Sequence, residues 1–175
     1  AAHSMGLEAR RVDMSATYAG TCDLLATMDA DDALIHAHSQ LMLLISDALR
    51  LAAHPVLMRH IAALIGDGEE RSTAILIERM RQDEDETARR VAAELAAFQG
   101  DAIGRMIVGA RQVGTLEARP GIVLLQFPKL DLPPAGTPAS EWTVMQRVSA
   151  AVVRGALSWV TTSAKDPALR PLRKL

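Results

Sequence analysis

The chain has 175 residues, 49% apolar, 23% charged and 3% aromatic, with 19 basic and 21 acidic residues for a formal net charge of −2. That length suits one domain able to bury a core without staples, while so few rings exclude a β-sandwich or barrel and a stacking platform for single-stranded nucleic acid. A balanced charge leaves no global field for nucleic-acid phosphates, and the single Cys22 excludes an internal disulfide and most cysteine-based metal sites.

Ala and Leu number 30 and 22. Both lose little rotamer freedom in a helix, so the expectation is an all-α, mostly helical domain over residues 1–175. Residues 1–10 read as a flexible N-terminus and 166–175 as a C-terminal tail. Val12, Tyr18, Cys22, Leu25 and Met28 keep a loose helical spacing over 11–28. Asp29, Asp31 and Asp32 then supply an acidic start for a helix over 33–53, whose run Leu41-Met42-Leu43-Leu44-Ile45 predicts burial on several sides. His36, Gln40, Asp47 and Arg50 fall on one stripe of that helix, against solvent or in a groove. Pro55 is expected to break it and to start the next helix.

Val56, Leu57, Ile61, Leu64 and Ile65 form the apolar face of that second helix. Gly66-Asp67-Gly68 allows either a kink or a turn into a further helix over 73–80. After Asp83-Glu84-Asp85-Glu86 the periodicity is at its clearest. Val91, Leu95, Phe98, Ala102, Met106, Gly109 and Val113 make one seam, which Gly100, Gly104 and Gly109 interrupt or open to close packing. Residues 114–139 carry Pro120, Pro128, Pro133, Pro134 and Pro138, and cannot be one helix. Within them Ile122-Val123-Leu124-Leu125-Gln126-Phe127 reads as a short strand or an apolar strap that packs on the core. Ser140 can cap a last helix over 141–162, with Met145, Val148, Val152, Gly155, Ala156 and Trp159 on one face. The whole is thus a bundle-like domain of five to seven helices with a Pro-rich strap.

Recognisable chemistry is scarce. No glycine-rich loop ends in Gly-Lys-Ser/Thr, and none of Lys129, Lys165 and Lys174 follows a glycine. His36 and His38 point about 200° apart on a helix and cannot chelate together. Asp32 and His36 share a face, and His54 and His60 could converge only through tertiary folding. No metal and no cofactor is expected. No nucleophile elbow surrounds a serine, Cys22 has no evident base, and paired carboxylates occur only at acidic helix starts, so catalysis has no support. No apolar run approaches the roughly 18 residues that span a bilayer, and residues 1–5 lack the build of a signal peptide, which points to a cytoplasmic protein without membrane contact.

Residues 54–106, and the ending Ala-Ala-Val-Val-Arg-Gly-Ala-Leu-Ser-Trp-Val-Thr-Thr over 150–162, resemble the effector-binding and dimerisation domain of TetR-family transcriptional regulators. That resemblance implies a non-enzymatic domain that senses a small apolar effector and forms a homodimer through helices near 84–112 and 140–162. The family's DNA-reading helix-turn-helix is missing from 1–50, so no direct nucleic-acid contact by this chain is implied. Polar positions beside apolar faces nominate His36, Gln40, Asp47, His60 and Arg105 for the ligand. A second resemblance joins residues 36–54 and 74–85 to the phosphotransfer hairpin of sensor histidine kinases, with His36 as phosphoacceptor. A helical scaffold or adaptor is the remaining alternative.

Overall fold

The structure is a computed structural model and describes residues 9–13, 22–27, 30–67, 70–108, 122–127 and 129–165. The expected flexible N-terminus (but for its last two residues), the tail, and residues 114–121 and 128 of the Pro-rich connection lie outside those residues. In chain order come β1 (Ala9–Asp13), α1 (Leu24–Thr27), α2 (Ala30–Leu44), α3 (Asp47–Gly66), α4 (Thr73–Gln82) and α5 (Glu86–Ala97). A 3₁₀ turn at Phe98–Gly100 leads to α6 (Gly104–Val108), followed by β2 (Ile122–Gln126), a 3₁₀ turn at Ala139–Glu141 and α7 (Val144–Lys165). The protein is mostly helical, as its Ala and Leu content requires.

Helices α1 to α6 all lie in the connection between β1 and β2. The two strands pair in parallel, in register from Ala9 opposite Ile122 to Asp13 opposite Gln126. A parallel pair cannot close through a hairpin and needs such a crossover. The helical spacing read over 11–28 is therefore corrected at its start. Arg10, Arg11 and Val12 have a strand partner more than a hundred residues away, which local periodicity cannot reveal.

The break expected at Pro55 falls instead at Ile45 and Ser46. There the Ser46 N–H and hydroxyl donate to the Glu94 carboxylate of α5 at 2.8 and 2.6 Å. That tertiary contact ends one helix and starts the next, with Asp47 favourably placed in the first turn. Pro55 then sits inside α3, on its exposed side. Solvent can satisfy the carbonyl left without an N–H there, so the helix continues.

Between α3 and α4 the chain makes a turn rather than a kink, and Ser72 caps α4 by accepting from the Ile75 N–H at 3.2 Å. Asp85 caps α5 in the same way through the Thr87 N–H. The seam over 84–112, which the resemblance implied to be one helix and whose glycines left a break open, divides at Phe98–Gly100. Asp101 begins again, accepting from the Ile103 and Gly104 N–H groups at 2.8 and 3.0 Å. Thr143, not Ser140, caps α7: its hydroxyl accepts from the Gln146 N–H, and its own N–H donates to Gln146 Oε1.

Leu41, Ile45, Leu57, Ile61, Leu64, Leu76, Ile77, Met80 and Leu95 are fully buried and form one aliphatic core. By length and composition α3 could cross a membrane. It instead lays Leu49, Ala53, Val56, Leu57, Ile61 and Leu64 into this core, against α2, α4 and α5. The strap packs too. Leu125, Phe127 and Leu130 lie on the core, and the Asp131 N–H donates to the buried Ser149 hydroxyl at 3.0 Å.

Two glycines admit close approach. A Cβ on Gly104 would sit 2.9 Å from Phe98 Cβ, and one on Gly155 of α7 would sit 2.8 Å from the Cys22 carbonyl carbon. Gly66 has nothing within 4 Å of such an atom. Gly155→Ala is expected to lower stability by about 1–3 kcal/mol, because backbone must move to admit the methyl. Gly66→Ala is expected to be neutral or to stabilise by up to about 1 kcal/mol, through the unfolded chain's lost freedom. Urea midpoints of the two variants measure the contrast, and equal effects would contradict the packing described.

Candidate functional site

Residues 22 and 23 join more of the molecule than any motif in the sequence suggests. The Cys22 N–H donates to the Met106 carbonyl of α6 at 3.0 Å, and the Cys22 backbone lies against Gly155 of α7. Asp23 is buried and caps α1, accepting from the Leu25 N–H at 2.9 Å and the Ala26 N–H at 3.4 Å. Its carboxylate also takes the Thr73 N–H at 2.6 Å and the Thr73 hydroxyl at 2.9 Å, at the start of α4. One side chain thus serves two helix N-termini.

Burial pushes the Asp23 carboxyl up to about 6, while the donations from Thr73, Leu25 and Ala26 pull the other way. Burial, then the Asp23 charge, pushes the Cys22 thiol up to about 12. Such a thiol stays protonated and unreactive at neutral pH.

The five ligand candidates have different surroundings. His36 is exposed on α2, and Gln40 one turn later is buried, its Oε1 without a hydrogen-bond partner. Asp47 is exposed and pairs with Arg50 at 2.7 Å, with Arg147 of α7 at 3.9 Å. His60 lies roughly 20 Å further along α3 by helical rise. It contacts Asp83 at 2.9 Å, next to Arg59, which reaches Asp83 and Asp85. The Asp85 N–H first, then the Arg59 and His60 charges, hold the Asp83 carboxyl below its ordinary range. Arg105 is exposed on α6. The structure therefore brings Asp47 to two arginines, and His60 to Asp83 beside Arg59, at separate places.

The other histidines behave as the helix geometry demands. His38 is buried while His36 is exposed, and the His38 ring meets the His54 ring edge-on with centroids 4.6 Å apart. Burial, then the neighbouring His54 charge, lowers the His38 pKa, so the ring is neutral at pH 7. Among the described residues no group of three or more His, Cys, Asp or Glu side chains could hold a metal ion.

Three groups escaped the sequence reading. Asp23 stands directly before Leu24-Leu25-Ala26, an N-cap signal that was available, but its bond to Thr73 spans 50 residues. Glu94 lies in the middle of α5 with no local partner, and Ser46, 48 residues away, supplies its donors. Arg147 carried no signal at all.

A family profile described as an AAA-like domain matches residues 8–166. No curated protein and no solved structure matches the chain. The profile match overturns the resemblance to TetR-family regulators, and with it the reading as a ligand-sensing domain of a transcriptional regulator. The phosphotransfer-hairpin and scaffold alternatives gain no support either. Those resemblances rested on Arg, Ala and Leu in helical spacing, which unrelated helical domains share because the same propensities build them all.

The Asp23 carboxyl supplies a test. Its folded pKa lies above the ordinary 3.8, so the folded chain binds more protons than the unfolded chain between about pH 4 and pH 6. This group's contribution to stability therefore grows as pH falls through 6 towards 4, and is flat above about pH 7. Asp23→Asn keeps one acceptor but sets an amide NH₂ against the Thr73 donors, with an expected cost of about 1–3 kcal/mol at neutral pH. Urea titrations at about pH 4.5, 5.5 and 7 should show the gap between wild type and variant widening as pH falls. A gap independent of pH would contradict it.

Proposed function

The chain belongs to the AAA-like domain family, and on that premise we propose that it is the helical and strand-pair portion of a nucleotide-binding, ATPase-type domain. The observation that carries this reading is the match over residues 8–166, together with a parallel strand pair bridged by helices. Parallel sheets belong to α/β layers with both faces covered, and bind ligands beyond the carboxyl ends of their strands. Those ends lie side by side here, at Asp13 and Gln126.

The chain does not carry the phosphate-cradling loop itself. Gly104 and Gly109 have the glycine spacing, but Ala110-Arg111 follow where Lys and Ser/Thr are needed, and α6 begins at Gly104. The cradle in this reading comes from a segment or subunit that extends the strand pair. The division of labour follows from chemistry, since phosphoryl transfer depends on the loop's N–H groups and lysine to hold the phosphates. Nucleotide work also fits a cytoplasmic location, where nucleoside triphosphate is abundant.

Photolabelling with an azido-ATP, followed by peptide mapping, tests the reading. Labels are expected on the peptides bearing β1 and β2, near Asp13 and Gln126. Gln126→Ala, at an exposed strand-end side chain, should weaken that labelling, and no ATP turnover above background is expected from this chain alone. Labelling confined to α4 and α5, no specific labelling, or full turnover by the chain alone would each overturn it.

A further inference from the structure

The cluster around Asp47 is short of negative charge. Arg50 and Arg147 are each the fourth residue of their helix, α3 and α7, near ends where the backbone dipole is positive. Arginine stays charged in any protein setting, so each guanidinium needs an anion or water. Arg147 has a side chain only 12% exposed, yet its ion-pair partner is Asp47 at 3.9 Å, beyond hydrogen-bond length. Arg50 meets Asp47 at 2.7 Å and the Ile45 carbonyl at 3.2 Å. The Nε atoms of both arginines are buried without a hydrogen-bond partner. Asp47 itself is 76% exposed and so well solvated.

Neighbouring acceptors do not make up the shortfall. The Glu94 carboxylate is held by the Ser46 N–H and hydroxyl, and Thr143 and Gln146 cap each other at the start of α7. A nearly buried cation with so little pairing marks a place that an oxyanion would complete, because buried charge is tolerated only when well paired. A tetrahedral phosphate can present separate oxygens to two guanidiniums, whereas one carboxylate oxygen of Asp47 now faces both.

We propose that Arg50 and Arg147 together hold a phosphate group, which takes the place of the Asp47 carboxylate between them. The proposal rests on the two arginines and Asp47 and does not depend on the nucleotide reading. Its recognition element is a phosphate oxyanion, carried by free phosphate or by a nucleotide.

Thermal unfolding of the full chain with inorganic phosphate, against chloride at equal ionic strength, provides the test. A phosphate-specific rise of a few degrees at about 10 mM is expected if binding is in the millimolar range. Asp47→Asn removes the competing carboxylate and should increase the apparent phosphate affinity several-fold. Arg147→Gln should abolish the rise, and Arg50→Gln, at a more exposed side chain, gives the same readout if the first variant does not fold. ATP in place of phosphate separates the two sources: a rise with ATP that Arg50→Gln abolishes assigns a nucleotide phosphate, and a rise with phosphate alone assigns the free ion. No phosphate-specific or ATP-specific rise in wild type and Asp47→Asn, or a rise that survives both arginine substitutions, would overturn the proposal.

Discussion

The Asp23 carboxylate is the constraint on which the arrangement of the helices turns. A buried carboxylate is unfavourable in an aliphatic interior unless hydrogen bonds meet it. Here the Thr73, Leu25 and Ala26 donors do so. Those donors are otherwise orphaned groups at the starts of α1 and α4, so one acceptor answers needs at two helix ends. Because Cys22 is adjacent, the same point of the chain is tied to α6 through the Met106 carbonyl and pressed against α7 at Gly155. Four helices are registered around two residues.

A second long-range bond has similar weight. Ser46 turns the chain between α2 and α3 because Glu94 receives both of its donors. The turn would otherwise lie within a continuous apolar stretch that favours one long helix. Proline 55, the strongest local breaker in the region, is overruled since its side of α3 faces water. Local chemistry sets what a residue can do, and the neighbour that arrives through folding selects among those options. These helices lie within the connection of a parallel strand pair, which needs such a crossover.

Much of the fold was legible. The helical character, the acidic start of α5 and the strap's apolar packing follow from propensity, capping and burial rules applied to neighbours, whereas those rules left kink or turn open at Gly66 and break or close packing open at Gly100. The chemistry was less legible. His36, Gln40, Asp47, His60 and Arg105 were nominated as polar residues beside apolar faces, a criterion that says nothing about which of them meet. Asp47 meets Arg147, a hundred residues away, and His60 meets Asp83 at the C-terminal end of α4. A side chain's periodicity reports its own helix face and not the face opposite.

By itself, the sequence determined that the protein is helical, aliphatic in its core and poor in rings for stacking, because Ala, Leu and capping residues act through their immediate neighbours. Only the tertiary structure decided that residues 9–13 form a strand and that the long helix breaks at Ser46 instead of Pro55. It alone decided that Asp23, an unremarked cap in the chain, is the buried acceptor shared by two helices. Each of these depends on a hydrogen-bond partner roughly fifty or more residues distant, and no local propensity encodes which donor will reach which acceptor.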